Sequence, residues 1–109
     1  TALDNAKTRL TRLRQNLERL RLNADVVTGD ALTWQGPEPW PCILLDAPCT
    51  ATGTVRRHPD TPWLKSPEIV RHLAHPQASL LRQLARQLAP GRTLIYAVCA
   101  LLPEEGEGV

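Results

Sequence analysis

The fold follows from the stretch CILLDAPC, residues 42–49. It opens with a continuous apolar run and ends with a carboxylate, Asp46, and a thiol, Cys49. Such a run, bounded by turn residues, is typical of a strand that is buried on both faces of a parallel sheet. The run TLIYAV, residues 93–98, has the same character and is followed at once by a second thiol, Cys99. The two runs therefore predict two parallel strands whose ends carry reactive groups.

The segment before these strands has a helical pattern. Residues 5–22 carry leucine and alanine at three- and four-residue steps, with arginines on the other face, which predicts an amphipathic helix. Residues 24–27, which end in two β-branched valines, predict a short strand, and residues 31–41, rich in proline and glycine, predict a loop. The sequence TALD, residues 1–4, resembles the end of a further strand.

A second helical pattern lies between the two buried strands. Ser66-Pro67-Glu68 predicts a helix start, with serine as the N-cap and proline in the first turn. Pro76 predicts a break and a restart, and Pro90-Gly91 predicts the end of the second piece. Strands that alternate with helices predict an α/β fold, in which a mostly parallel sheet is flanked by helices.

Polar and reactive groups follow each predicted strand. Asp4, Asp30, Asp46 with Cys49, and Cys99 all lie at or just past a predicted strand end. Ligands of parallel sheets bind beyond the carboxyl ends of the strands. We therefore expect these groups to contribute to one shared site.

Composition excludes several classes of protein. The chain has 109 residues, a net charge of +2 and three cysteines without CxxC spacing, so neither a disulfide framework nor a metal site is expected. Free thiols are typical of a reducing compartment. We expect neither a secretory leader nor a membrane span, because no charged-then-apolar segment opens the sequence and no apolar run approaches 18 residues. We expect a cytoplasmic protein without a membrane partner.

Two long motifs resemble those of a known family. LLDAPCTATGTVRRHPDTPWLK, residues 44–65, and LAPGRTLIYAVCALLPEEGE, residues 88–107, are similar to the D-A-P-C and P-G-G…T-C-S…P-E-E-N motifs of the Fmu/Sun RNA cytosine-C5 methyltransferases. These include the bacterial 16S rRNA enzymes in particular. Departures from the family pattern occur at Arg92, Val98, Ala100 and Gly106.

The resemblance implies a partial Rossmann-like fold of the class I S-adenosylmethionine-dependent methyltransferases. It also implies S-adenosylmethionine as cofactor and RNA as partner, with small-subunit rRNA favoured and tRNA as an alternative. No glycine-rich cofactor turn precedes the first helix. We therefore expect residues 1–109 to be part of one catalytic domain, without its N-terminal glycine-rich loop and its last strands. Such a piece is expected to bind cofactor weakly, to be inactive alone and to self-associate.

The same resemblance assigns roles to individual residues. Cys99 would be the nucleophile that adds to C6 of cytosine, and Cys49 would assist release of the covalent adduct. Asp46 would contact the Watson–Crick edge of the base. Asp4 and Asp30, together with Asp46, would form the carboxylate set on the cofactor side. Each role has a plainer alternative, because cysteine is often a small buried apolar residue and aspartate often caps helices or turns.

The RNA contacts are predicted to come from the loop after the first buried strand. Arg56, Arg57 and His58 lie on this loop, although exposed arginines are also common without any ligand. The arginines of residues 5–22 are interpreted as a solvated helix face, and Cys42 as a structural residue. A different class of function stays open, namely a non-catalytic RNA-binding module on the same fold. Loss of the usual residues at Val98, Ala100 and Arg92 favours that alternative, whereas the two retained thiols oppose it.

Overall fold

The computed structural model describes residues 1–36 and 39–109, and it contains two compact units, Thr1–Pro37 and Glu38–Val109. The predicted loop of residues 31–41 includes Pro37 and Glu38, which lie outside the described residues. No helix in the described part of the chain is long and apolar enough to cross a membrane.

The first unit is a strand–helix–strand segment. Strand β1 (Ala2–Asp4) and strand β2 (Val26–Thr28) pair in parallel, and helix α1 (Lys7–Leu20) connects them. Leu10 anchors the apolar stripe of α1 with 1% of its surface exposed, which contributes on the order of 1.5–3 kcal/mol. The helix ends where Arg21 adopts the left-handed conformation, with a φ of 55°. The predicted helix and both predicted strands of this region are confirmed, although β2 begins two residues later than expected.

The second unit contains the two buried strands predicted from the sequence. Strand β3 (Trp40–Asp46) pairs in parallel with strand β4 (Leu88–Ala97). Between them lie a short helix α2 (Thr61–Leu64), which the sequence did not predict, and a long helix α3 (Pro67–Ala85). Two 3-10 turns complete the unit, at Thr52–Thr54 and Pro103–Glu105. Together the two units give an α/β fold with parallel strand pairs, in agreement with the predicted class.

The core of the second unit lies on one face of the β3–β4 sheet. Its buried members are Leu45, Ala47 and Leu84, and Ile43, Leu80, Leu81, Leu94, Tyr96 and Val98 pack against them. The other face is open: Leu44 and Ile95 are partners in the ladder, and 67% and 49% of their surfaces are exposed. The prediction that both faces are buried is therefore wrong for this chain, because helix α3 covers only one of them.

Helix α3 runs without interruption through Pro76, so the predicted break at this residue is wrong. Proline lacks the N–H that would bond the carbonyl of His72, a loss that costs roughly 3 kcal/mol in a helix interior. Buried residues lie on both sides of the proline, with Val70 before it and Gln77 and Leu84 after it. We infer that these tertiary contacts hold the two halves in one helix. The predicted start is confirmed, since the Ser66 hydroxyl accepts the N–H of Ile69 at 3.4 Å.

Pro90-Gly91 lies inside strand β4 and does not end the helix, which stops at Ala85. The ladder passes from the pair Trp40–Leu88 directly to the pair Cys42–Thr93, so residues 89–92 of β4 lie opposite the single residue Pro41 and form a bulge. Pro41 in β3 and Pro90 in β4 have no N–H group to donate to the ladder at this point. Gly91 has a φ of 72°, a conformation that glycine adopts without strain.

Candidate active site at the carboxyl ends of the strands

The parallel ladder of β3 and β4 brings two chain segments to one edge of the sheet. Asp46 pairs with Ala97 in the last register position, and the N–H of Ala47 donates to the carbonyl of Ala97 at 2.9 Å. Both strands therefore end together, and the segments that carry Cys49 and Cys99 leave the sheet at the same edge. The structure thus brings Asp46, Cys49 and Cys99 to one place, as predicted from the strand ends.

The two thiols are in direct contact. The Sγ atoms of Cys49 and Cys99 lie 3.3 Å apart, within hydrogen-bonding distance for sulfur, and either one can be the donor. Cys99 is exposed and Cys49 is half-buried, so a ligand that approaches this edge from solvent meets Cys99 first. Cys42 lies elsewhere, as the third residue of β3, and it is exposed and not part of the packed core.

This contact raises the pKa of the Cys99 thiol. The main cause is its hydrogen bond with Cys49, followed by partial burial and by the negative charges of Cys49 and Asp46. A thiolate is the nucleophilic form of cysteine. Cys99 therefore holds its proton more firmly than an isolated thiol, and any nucleophilic role requires that the proton be accepted by another group.

Two hydrogen bonds from the turn at residues 52–53 fix the segment around Cys99. Its carbonyl accepts the N–H of Gly53 at 2.8 Å, and the N–H of Leu101 donates to the Thr52 hydroxyl at 2.9 Å. A Cβ atom at position 53 would lie 2.8 Å from the Cys99 carbonyl oxygen, closer than real contacts allow. Glycine is therefore required at position 53 because two backbone segments approach closely there. Ala51 begins the same turn with a φ of 59°, an unusual conformation for a residue with a side chain.

The basic loop continues from this turn. Arg56, Arg57 and His58 are all exposed, and the N–H groups of Arg57 and His58 both bond the carbonyl of Thr54, at 2.8 and 3.0 Å. The ion pairs found within residues 1–36 and 39–109 involve other arginines, Arg9 and Arg71. The positive charges of the loop are thus presented to solvent three residues beyond Gly53. Trp63, in the following helix α2, is 88% exposed.

The two remaining predicted aspartates lie in the first unit, at the carboxyl end of its own sheet. Asp4 is the last residue of β1, and Asp30 follows β2 by two residues. The carboxylate of Asp4 accepts from the N–H of Ala6 and, through two bonds of 2.7 Å, from Arg9. The Arg9 bond is the main cause that lowers the pKa of Asp4, and the Ala6 bond adds to it. Asp30 accepts the N–H of Leu32 at 2.9 Å.

These bonds bear on the predicted cofactor role. A carboxylate has about four acceptor positions, and three donors already occupy Asp4. A vicinal diol brings two hydroxyl donors, so it would displace one bond from Arg9, whose side chain is 67% exposed. The acceptor oxygens of Asp4 would accommodate a ribose diol once Arg9 releases one of them. Among the described residues, no cluster of three or more His, Cys, Asp or Glu side chains is placed to hold a metal ion.

Sequence reasoning missed a buried polar cluster next to the thiols. Thr50, Gln77 and Glu105 are each 0% exposed. Thr50 follows Cys49 in the first motif, and Glu105 belongs to the P-E-E sequence of the second motif. The family resemblance assigns a role to neither. Gln77 offered no local signal, because a glutamine in a helix is ordinarily exposed.

The chain belongs to the 16S rRNA methyltransferase RsmB/F family, whose sequence profile matches residues 1–109. Ribosomal RNA small subunit methyltransferase B of Vibrio cholerae is 48% identical over 108 residues, which cover 95% of this chain and 25% of that protein. The chain thus spans about a quarter of the length of the curated relatives it matches.

Solved structures agree with this assignment. The crystal structure of PH0851 superposes with a TM-score of 0.92 at 32% identity, over 98% of this chain and 25% of that one. NSun6 from Pyrococcus horikoshii, solved with SFG, gives a TM-score of 0.82 at 31% identity, over 98% of this chain and 28% of that one. These neighbours and the family match identify the fold as part of a Rossmann-like methyltransferase fold. Sun/Fmu methyltransferases use S-adenosylmethionine.

Proposed function

We propose that the protein of which this chain is a part methylates C5 of a cytosine in small-subunit rRNA through a covalent cysteine adduct. The observation that carries the proposal is the contact between two thiols at the ends of neighbouring parallel strands, 3.3 Å apart. The names of the relatives favour rRNA over tRNA as the substrate. A binding module has no need for two thiols in contact.

The residues divide the chemistry between them. C5 of cytosine is a poor nucleophile, and addition of the Cys99 thiolate to C6 shifts electrons toward C5, which splits one difficult step into two easier ones. S-adenosylmethionine, when bound, supplies an electrophilic methyl group to C5. In the elimination, the Cys49 thiolate accepts the C5 proton, the electrons of the C5–H bond restore the C5–C6 double bond, and Cys99 leaves as a thiolate.

Asp46 and the basic loop provide recognition. The exposed carboxylate of Asp46 lies at the same sheet edge as the thiols and would accept the exocyclic amine of cytosine, a donor that uracil lacks. Arg56, Arg57 and His58 would contact RNA phosphates, because their charges point to solvent beside this edge. Asp4 and Asp30 would hold the ribose and the adenine amine of the cofactor.

The test uses the full-length protein, S-adenosylmethionine with a labelled methyl group, and rRNA that contains 5-fluorocytosine. Cys99→Ala should abolish both methyl transfer and the covalent protein–RNA complex. Cys42→Ala is the matched control, since Cys42 is an exposed thiol of the same sheet, and it should retain both. Normal activity of Cys99→Ala would refute the assignment, and RNA binding by the wild type without any labelling would favour the non-catalytic module.

The domain assignment belongs to the same proposal. We propose that residues 1–109 are part of one cytoplasmic catalytic domain whose glycine-rich cofactor loop lies outside this chain, which spans a quarter of its relatives. The open sheet face with Leu44 and Ile95 would then make the isolated chain self-associate. Light scattering and calorimetry with S-adenosylmethionine test this, and a monomer with micromolar cofactor affinity would contradict it.

A further inference from the structure

The buried carboxyl group of Glu105 is hydrogen-bonded to the residue that follows Cys49. Glu105 closes the 3-10 turn Pro103–Glu105 and is completely buried. Its Oε1 accepts the N–H of Thr50 at 2.8 Å and the Nε2 group of Gln77 at 3.1 Å, while its Oε2 accepts the Thr50 hydroxyl. Burial of a carboxyl group is costly unless donors surround it. Here three donors converge on it from two different segments.

Gln77 extends this network to the other side of Cys49. Its Nε2 group also donates to the carbonyl of Pro48 at 2.7 Å. Both partners of this nitrogen are acceptors, so they determine which way the amide points. Its Oε1 atom is buried without a partner in the described part of the chain, and burial of an unpaired acceptor costs about 1–3 kcal/mol. The two hydrogen bonds of the Gln77 nitrogen explain why a glutamine occupies this position despite that cost.

The bonded groups flank Cys49 on both sides. The Pro48 carbonyl precedes Cys49 and the Thr50 N–H follows it, and Gln77 and Glu105 hold both. Their side chains make no hydrogen bond to residues 98–100 among the contacts found, where the Cys99 carbonyl is held instead by Gly53. The two networks meet at one long contact, since the Thr50 hydroxyl lies 3.5 Å from the Thr52 hydroxyl that accepts the N–H of Leu101. The side chains of Glu105 and Gln77 bond directly to the main chain on either side of Cys49, and to no atom of Cys99 among the described contacts.

We propose that Glu105 and Gln77 are positioning residues that hold the Cys49 thiol against Cys99, and that they serve release of the methylated base. The inference rests on the proposed function, in which Cys49 assists elimination of the adduct. Neither side chain lies at the surface, so neither contacts RNA directly. Their influence on the reaction passes through the main chain on either side of Cys49.

The experiment uses the full-length protein and rRNA with an unmodified target cytosine. Glu105→Ala should slow release of the adduct by about tenfold or more, so that the covalent complex accumulates on denaturing gels, as it does in Cys49→Ala. Methyl transfer in a single turnover should change by less than about threefold, because Cys99 keeps its own supports. An equal loss in both steps would overturn the proposal.

Three variants separate positioning from general stability. Glu104→Ala, at the exposed neighbouring position of the same turn, should behave as wild type. Glu105→Gln keeps an acceptor for the Thr50 N–H and can donate its amide to the Thr50 hydroxyl, so it should restore most of the release rate. Cys49→Ala combined with Glu105→Ala should be no slower than Cys49→Ala alone, because both act on one step. Additive losses in the double variant would contradict a shared role.

A second measurement needs neither RNA nor cofactor and separates this proposal from the proposed function. In a Cys42→Ser background, the rate at which diamide joins Cys49 to Cys99 reports how well the thiols are aligned. Gln77→Met and Glu105→Ala should lower this rate about tenfold while circular dichroism stays unchanged, and Glu104→Ala should not. An unchanged rate would refute the positioning role. If these variants lower the rate of disulfide formation but neither they nor the wild type methylates RNA, the proposed function fails and the positioning role stands.

Discussion

The Sγ atoms of Cys49 and Cys99 lie 3.3 Å apart although fifty residues separate them in the sequence. The parallel ladder of β3 and β4 creates this contact, because it ends in register at Asp46 and Ala97. Each thiol lies two or three residues beyond that last pair. Because of this contact, the ionisation and the oxidation of each cysteine depend on the other.

The first prediction concerns Cys49→Ala in the full-length protein. Methyl transfer should proceed, because Cys99 retains its position, but the adduct should persist since the thiol that assists its release is gone. Denaturing gels should therefore show a protein–RNA complex with unmodified RNA. The double variant with Cys99→Ala should show none, and a free, methylated product released at the wild-type rate by Cys49→Ala would refute the role of Cys49.

The second concerns pH. The hydrogen bond with Cys49 is the main cause that raises the pKa of Cys99, so a smaller fraction of Cys99 is thiolate at a given pH than in an isolated thiol. Cys49→Ala removes this cause and should move the midpoint of Cys99 alkylation to lower pH. The measurement follows iodoacetamide labelling of Cys99 by mass spectrometry across pH, in a Cys42→Ser background. A midpoint that is unchanged or higher would contradict the coupling.

The third concerns oxidation. A disulfide needs a sulfur–sulfur distance of about 2.05 Å, which a small shift from 3.3 Å provides. Diamide accepts the two electrons and two protons of the thiols, so the protein should lose the mass of two hydrogen atoms and its methylation activity. Dithiothreitol should restore both. Peptide mapping should show Cys49 joined to Cys99, and a preferred link to Cys42 would be evidence against the observed geometry.

The fourth concerns the backbone contact between Gly53 and Cys99. Gly53→Ala places a Cβ atom 2.8 Å from the Cys99 carbonyl oxygen, and the resulting shift should lower the free energy of unfolding by about 1–3 kcal/mol. The matched change two residues earlier should have the opposite sign. Ala51→Gly relieves a left-handed backbone that costs about 1–2 kcal/mol, offset by about 0.4–1 kcal/mol of unfolded-state entropy. Urea denaturation measures both, and equal effects of the two changes would contradict the contact.

The fifth concerns the basic loop. Arg56→Ala and Arg57→Ala should each weaken binding of the full-length protein to rRNA. Each should also reduce the slope of log affinity against log salt by about 0.7–0.9, the value for one lost phosphate contact. Arg12→Ala removes an equal charge from the exposed face of α1 and should leave the slope unchanged. Filter binding across salt concentrations measures the slopes, and a slope that falls only in Arg12→Ala would place the RNA contacts on α1.

Local patterns were sufficient for the α/β class, the alternation of strands and helices, and the ends of β3 and β4 as the location of reactive groups. They succeed because apolar periodicity and capping residues act over a few neighbouring positions, as at Ser66, whose capping bond is present. The same local rules failed at Pro76 and Pro90. In both places long-range packing and strand pairing outweigh the preference of the single residue.

The distances that give the site its chemistry depend on contacts between remote segments. No local pattern places the sulfur of Cys49 against that of Cys99, or buries Glu105 between Thr50 and Gln77. A motif names the residue types, but their separation depends on strand register and on the course of α3 above the sheet. Burial likewise depends on which face a helix covers, which is why Leu44 and Ile95 are exposed within runs that read as buried.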